Sequence, residues 1–318
     1  MDAYVADFCQ WQRRQLATTA LTRPPSDWRT ARSQFDWPRF RGIVRQGVEG
    51  HVQQTGRWPD FQRPTSFGAT GILHSLLLAM PRVNPCDKLN VGRYIPAAFR
   101  GTCRPARVFR VWDAGAPLDF TGLPPRRYRL KSNHASGQVA PVVLPCTEDG
   151  RAELERLVGT WTAQAFALNS SQWWYWDIPR KVFLEEDLSR ADGAPLTDFR
   201  FHVFAGKVVL LQLDRGAGSA NNPIYDGHLT YLPGALYRPN RGEVPLPRSV
   251  QTARDLAAEI GRAFQYLRVD CYLRKDEVIL GELTFLPNAG RRTIQSPALE
   301  ERLCDAWGPG PQAVRLTP

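Results

Sequence analysis

Apolar residues recur at helical spacing in some stretches of the chain and form short strand-like runs in others. Helical spacing marks about 68–80, through Ile72, Leu73, Leu76, Leu77 and Met80. It marks Glu148–Leu168 through Leu154, Leu157, Val158, Trp161 and Phe166. Ser249 in a capping position predicts a helix through about Gln265, with Ala253, Leu256, Ala257 and Ile260 inward. Segments 3–20 and 41–54 also read as helices, and a short one starts at Pro297. Strand-like runs cover Arg126–Lys131, Val139–Leu144 and Arg180–Glu186. Asp198–Phe204 turns at Ala205-Gly206 into Val208–Leu213, and Leu267–Leu273 turns at Arg274–Glu277 into Val278–Thr284.

The last hairpin carries the sharpest chemical signal. Asp270 interrupts an otherwise apolar strand, and Glu282 stands near the end of its neighbour. Antiparallel pairing can place both on one face. Two bare carboxylates there repel and are costly to bury. A divalent cation between them removes that cost, and oxygen ligands suit Mg²⁺. An edge hairpin with two solvated acids is the plainer alternative, and the residues leave both open. In the preceding hairpin, alternation sets Asp198, Arg200 and His202 against Phe199, Phe201 and Val203. Between two strands lies Ser132-Asn133-His134-Ala135-Ser136-Gly137, a small polar loop of the kind whose N–H groups close on phosphate oxygens. Most such hairpins bind nothing, but Lys131 at its mouth adds a charge. Asp87 precedes an apolar turn and suits a helix start. Residues 219–248 are rich in Pro, Gly and Asn and too long for a mere connection.

Composition narrows the partners. The 318 residues are 43% hydrophobic and 23% charged, with no apolar run long enough for a membrane span. The start carries early acids and no apolar signal core, so a cytoplasmic protein is expected. Six scattered cysteines form no C-x-x-C pair, and five histidines show no metal-ligand spacing. The formal charge of +10 attracts polyanions. Only five of the 41 basic residues are lysine. Lys207 and Lys275 fall in hairpin turns. Lys88, Lys131 and Lys181 do not, and lysine is a compact point charge suited to phosphate. Trp173-Trp174-Tyr175-Trp176 could stack bases beside basic residues. The arginines are evenly spread and no ribonucleoprotein-type motif is present, so core or lid packing is the preferred reading and no nucleic-acid partner is expected. Trp11, Trp28, Trp37 and Trp58 read as packing anchors.

Taken in order, these parts resemble an ATP-grasp enzyme, and more narrowly the TupA-like ATP-grasp family of bacterial surface-polysaccharide clusters. The resemblance is carried by Asp87-Lys88 with Tyr94; Lys131 through Gly137; Phe183-Leu184-Glu185-Glu186; Asp198-Phe199-Arg200-Phe201 with Gly206-Lys207; Arg268-Val269-Asp270; and Gly281-Glu282-Leu283-Thr284-Phe285. It runs from about Trp58 to the end. It implies an α+β ATP-grasp fold: two lobes with antiparallel sheets clamping ATP, behind an N-terminal helical and irregular region. The divisions would be an extension over 1–57, a pre-ATP-grasp subdomain over 58–125, a lid over 126–188 and a central subdomain with the metal site over 189–318.

The resemblance also implies roles. Lys88 and Lys131 would hold phosphates, with Ser132, His134, Ser136 and Gly137 in the closing loop. Glu185 and Glu186 would sit at the hinge near adenine and ribose. Arg200 and Arg215 would lie on the phosphate side. Asp270 and Glu282 would bridge two Mg²⁺ ions, with Thr284 where many relatives place a ligating asparagine. Arg268 would steady the tetrahedral intermediate, although pairing with Asp270 is its plainer use. Ala135 and Asn288 stand where the family pattern has glycine, or glycine or proline. The implied activity is an ADP-forming carboxylate–amine ligase in cell-surface glycan or glycopeptide assembly, with an acidic glycan as a possible partner. A phosphotransferase acting on a sugar hydroxyl and a non-enzymatic polyanion-binding module are the alternatives.

Overall fold

A computed structural model describes residues 1–18, 28–29, 35–60, 64–77, 80–168, 171–189, 196–216 and 218–307. Helices are α1 (Asp2–Thr18), α2 (Trp37–Thr55), α3 (Phe67–Leu77), α4 (Glu148–Thr162), α5 (Val250–Gly261) and α6 (Pro297–Ala306). Strands are β1 (Trp28–Arg29), β2 (Met80–Pro81), β3 (Cys103–Pro105), β4 (Val108–Asp113), β5 (Arg127–Ser132), β6 (Val139–Val143), β7 (Lys181–Glu186), β8 (Asp198–Phe204), β9 (Lys207–Asp214), β10 (Ile224–Asp226), β11 (Tyr231–Leu232), β12 (Leu267–Arg274) and β13 (Glu277–Thr284).

They build two main sheets. A seven-stranded sheet has the order β11-β10-β9-β8-β12-β13-β3, antiparallel except where β13 meets β3. A four-stranded antiparallel sheet has the order β4-β7-β5-β6. Period-two alternation gives each sheet an apolar face. The smaller sheet buries Tyr128, Leu130, Val142, Val182 and Leu184 against Val158 and Trp161 of α4. The larger one buries Val269 and Cys271 against Leu256 and Ala257 of α5. The same core takes in Val5 and Phe8 of α1, Phe40, Ile43 and Val48 of α2, and Trp173 and Trp174. The tryptophan run is therefore core, as its preferred reading held; the indole of Trp173 donates to the Ser75 carbonyl at 2.8 Å.

Several expected bounds shift. Asp36, accepting from Arg39 N at 3.0 Å with a proline behind it, starts α2 four residues early, and Gly56 in the left-handed region ends it. Residues 19–20 and 78–79 of two expected helices lie outside the described residues, as do the side chains of Trp11 and Trp28. α4 stops at Thr162, leaving Phe166 beyond it, where it packs edge-on to Tyr175. Asp87 caps a 3₁₀ turn, Lys88–Tyr94, accepting from Leu89 N at 3.0 Å. Ser249 precedes α5 but does not cap it with its side chain: the hydroxyl donates to the Lys275 carbonyl, tying α5 to the β12–β13 turn. The long loop holds β10 and β11, which extend the large sheet. Among the described residues no helix is long and apolar enough to cross a membrane.

Candidate active site

The two sheets face each other across a cleft of about 380 Å³, lined among others by Arg129, Lys131, Glu185, Asp198, Arg200 and Arg238. Its floor includes Asp198 and Arg200 of β8, Asp214 of β9 and Tyr272 of β12. On β12, Arg268, Asp270 and Tyr272 point one way, as residues two apart must.

Glu282 joins that face through a bulge. From the turn, β12 and β13 pair as Arg274↔Glu277 down to Cys271↔Leu280, a register that would set Gly281 opposite Asp270. An extra residue at Gly281 shifts it, and Asp270 pairs directly with Glu282. Glycine suits the spot, since a Cβ on Gly281 would stand 2.9 Å from the Tyr272 ring. A second shift between His202 and Val203 sets Asp198 opposite Asp214 and Arg200 opposite Gln212.

The two central carboxylates are not bare. Arg268 donates through Nε and Nη2 to the two oxygens of Asp270 at 2.7 and 2.5 Å, and through Nη2 to Thr284 Oγ1 at 3.1 Å. Arg200 Nε lies 3.8 Å from Asp270. The other end of that guanidinium binds Asp198 at 2.9 Å and Asp214 at 2.6 Å. Lys88 Nζ stands 3.9 Å from Glu282. Burial works to lower the Arg268 pKa, but Asp270 more than offsets it and the guanidinium stays charged. Burial pushes Glu282 up, yet Lys88 and Arg268 hold it below the usual carboxylate range. Asp198 goes the other way: burial, against the pull of Arg200, pushes its carboxyl up to about 6. His202, pushed down to about 3 by burial and then by Arg268 and Arg200, is neutral. It takes its place from Tyr266, whose hydroxyl is 2.9 Å from Nδ1.

On the lid side, Lys131 of β5 pairs with the buried carboxylate of Glu185 on β7. Lys88 donates to the Ala135 carbonyl. The expected closing loop is half fixed. Asn133 is buried, donating to Asp87 at 3.0 Å and to the Pro179 carbonyl at 3.0 Å, and accepting from Lys181 N at 2.9 Å. Only Ser136 and Gly137 are exposed, with Gly137 at φ +75°.

Four expected positions are engaged within the protein itself, Glu186 among them although it also lines the cleft. His134 is fully buried, its Nδ1 3.2 Å from Asn133 and its Nε2 3.1 Å from the Trp161 carbonyl, so its ring braces the loop against α4 and does not face the cleft. Ser132 shares the buried face of β5 with Tyr128 and Leu130, so its side chain turns into the lid core. Glu186 is taken up by Arg104 of β3 and by the Arg107 N–H at 2.7 Å, which tie the lid strand to the edge of the large sheet. Arg215 is exposed and held through its own N–H to Asn222 at 3.0 Å. The arginine that joins Arg200 on Asp214 is Arg238, at 2.8 Å. Sequence reasoning missed it because an irregular loop has no period. The signal was indirect: a long loop following Asp214, itself on the charged face of its hairpin.

Asp270 and Glu282 are hard oxygen donors side by side, with the Thr284 hydroxyl 3.4 Å from Glu282. Among the described residues no group of three or more His, Cys, Asp or Glu is set to hold a metal. Two carboxylates and a hydroxyl are oxygen donors of the kind that suits Mg²⁺.

The TupA-like ATPgrasp family profile matches residues 80–307. The chain belongs to the TupA-like ATP-grasp family. Its α+β arrangement of two antiparallel-rich sheets around a charged cleft is the ATP-grasp fold that the sequence motifs implied. Residues 1–79 lie outside the match. Among solved structures, the chain is similar to the D-alanine–D-alanine ligase of Bacillus anthracis complexed with ATP, at 15% identity and TM-score 0.42, covering 70% of this chain and 64% of that one. An L-amino acid ligase of Bacillus licheniformis matches at 14% identity and TM-score 0.40, covering 70% and 49%. The D-alanine–D-alanine ligase of Helicobacter pylori matches at 11% and 0.40, covering 70% and 58%. The chain spans less than two thirds of the length of each. No curated protein matches it.

Proposed function

We propose that this ATP-grasp protein is an ADP-forming ligase that joins a carboxylate to an amine, acting in bacterial cell-surface polysaccharide or glycopeptide assembly. The observation that carries the reading is the charge-matched face at the cleft. Lys88, Lys131, Arg200, Arg238 and Arg268 are each paired with a carboxylate from among Glu185, Asp198, Asp214, Asp270 and Glu282. Acids and bases are equal in number, so the site has little net charge to spend on a polyphosphate. A triphosphate then binds with counter-cations of its own, and Asp270, Glu282 and Thr284 are the residues that would hold magnesium. When bound, magnesium offsets charge on the transferred phosphoryl group.

The chain's own residues supply the rest. Lys88, beside Glu282 and the Ala135 carbonyl, and Lys131, beside Glu185, are point charges for phosphate oxygens. Arg200 and Arg238, anchored on Asp214, are fixed before any ligand arrives, which is how an electrostatic site avoids reorganisation cost. The reacting carboxylate attacks the terminal phosphorus and ADP leaves; the amine then adds to the acyl carbon and phosphate leaves. Arg268 stays charged and shares a face with Asp270, so it is placed to donate to the oxygen that gains charge as the amine adds. No protein nucleophile is required. The formal charge of +10 suits an acidic glycan as the carboxylate donor.

Incubation with ATP, Mg²⁺ and a panel of uronic acids and amino acids, read by mass spectrometry with hydroxylamine as a trapping amine, tests this. ADP together with an amide or hydroxamate is the expected outcome. ADP together with a phosphate monoester would reassign the protein as a phosphotransferase.

A further inference from the structure

Immediately after the strand that carries Glu282 and Thr284, the chain makes a buried turn, Pro287–Gly290. Asn288 (φ 52°, ψ 25°) and Ala289 (φ 55°, ψ 26°) are both left-handed, and Gly290 follows at φ 67°. Two adjacent residues with side chains rarely adopt this conformation, and it persists only where surrounding structure imposes it. Asn288 is the exposed member of the turn. Its side chain hydrogen-bonds Tyr237, whose hydroxyl lies within the field of Arg268. The turn thus stands directly on the end of the strand that carries Glu282 and Thr284, with Asn288 as its outward-facing residue.

What imposes the turn comes from outside the matched family segment. The buried ring of His51, on α2, has its Nδ1 3.2 Å from the Gly290 carbonyl. A carbonyl only accepts, so Nδ1 carries the proton and donates. Burial lowers the pKa of this histidine, keeping the ring neutral. Arg291 Nη2 reaches the Gln46 carbonyl of the same helix at 3.4 Å. On the other side, α3 crosses the turn at backbone contact. A Cβ on Gly68 would stand 2.4 Å from the Gly290 oxygen, and one on Gly290 would stand 2.7 Å from the Gly68 oxygen. A Cβ on Gly71 would stand 2.3 Å from Leu286.

We propose that α2 is part of the active site's framework and that His51 is a positioning residue: it holds the left-handed turn that fixes Asn288 at the end of the strand bearing Glu282 and Thr284. The statement rests on the ligase reading for what the turn positions. The N-terminal helices are then a working part of the enzyme, and what His51 governs is the geometry of the second substrate and not the hold on ATP. Lys88, Lys131, Arg200 and Arg238 make none of their contacts through the turn.

The test uses the full chain, with His51→Ala and His51→Asn. Asparagine keeps an N–H donor at the position of Nδ1. In His51→Ala, hydroxamate formation from the best carboxylate of the panel falls by roughly tenfold to a hundredfold, the range a misplaced reacting group produces. The ATP dissociation constant from direct titration stays within about twofold. Amide hydrogen exchange quickens over 285–292 and is unchanged over 127–143. His51→Asn restores rate and protection together. Unchanged exchange over 285–292 in His51→Ala would overturn the proposal, as would quickened exchange with full turnover, or ATP affinity falling in step with the rate. If the wild-type protein turns over no carboxylate at all, the ligase reading has failed. The exchange comparison between the two variants then still decides whether His51 holds the turn.

Discussion

The lid sheet and the central sheet both turn a charged face to the cleft, but they handle charge differently. On β5 of the lid, Arg127 and Arg129 share the single carboxylate of Asp187, at 3.1 and 3.0 Å. Half of the Arg127 side chain is exposed, and apolar neighbours on β6 such as Val143 are open to solvent. On the central sheet the pairs interlock: Arg268 and Arg200 meet on Asp270, and Arg200 and Arg238 meet on Asp214. Asp270 retains 4% of its side-chain exposure. A buried ion pair is weak evidence of net stabilisation, but breaking one strands a charge in a poor solvent. An exposed pair can be broken at little cost. The central face is thus an interlocked template, while on the lid the half-exposed Arg127 can leave its shared carboxylate at lower cost.

The sharpest way to break this contrast is at its centre. Asp270→Ala leaves Arg268 and Arg200 facing one another without their shared counter-ion. A loss of about 3–5 kcal/mol in urea unfolding is expected, together with loss of turnover. Glu282→Gln should abolish turnover equally but cost less stability, because among the described residues no cation is in hydrogen-bond contact with Glu282: Lys88 stands at 3.9 Å, and Arg268 acts on it only through its field. Equal unfolding midpoints for the two variants would mean that the Arg268–Asp270 pair contributes nothing to the fold.

Next in size is the pair of arginines from the region after β9. Arg238→Ala should weaken ATP binding by about 1.5–3 kcal/mol, the range for a hydrogen bond involving a charged group. Arg215→Ala should leave it nearly unchanged. The reverse order in an ATP titration would return the phosphate role to Arg215.

A smaller effect appears with pH. The Asp198 carboxyl sits at about 6 in the folded chain against 3.8 for a free aspartate side chain. Between those values the native state binds more proton than the unfolded chain, so the contribution of Asp198 to stability falls as pH rises through that window. Below it, both states are protonated and the penalty is absent. Asp198→Asn has no such titration. Its stability relative to wild type should therefore improve by about 1–2 kcal/mol between pH 4 and pH 7. A constant difference across that range would show that Arg200 keeps Asp198 ionised throughout.

The smallest expected change is on the lid. Arg127→Ala removes the half-exposed partner of Asp187 and leaves Arg129 in place, so unfolding should move by less than about 1 kcal/mol. A larger loss would make the lid as interlocked as the floor.

Much of this was legible in the chain. Helical spacing located α3, α4 and α5, because an apolar stripe must be buried whatever it packs on. Two-residue alternation put Arg268 with Asp270 and Asp198 with Arg200, since a strand cannot do otherwise. Six short motifs in order were enough to indicate the family. Less could be read where side-chain direction depends on the other side of a contact. His134 and Ser132 belong to a loop whose composition suits phosphate, yet Asn133 pins that loop to Asp87 and Lys181, and both side chains turn inward.

Glu282 marks the boundary between the two kinds of knowledge. The sequence by itself determined that two acids lie on neighbouring strands and that apolar alternation fixes which face of each strand is buried. It could not determine that they meet. From the turn, regular pairing would have put Glu282 opposite Val269 and on the wrong face. One extra residue at Gly281 reverses the parity, and it is tolerated there because the partner strand places the Tyr272 ring where a Cβ would not fit. Likewise a glutamine-rich, arginine-rich N-terminal segment carried no chemical motif. That His51 lies against Gly290, 239 residues away, is a fact of packing between helices, and only the folded chain could decide it.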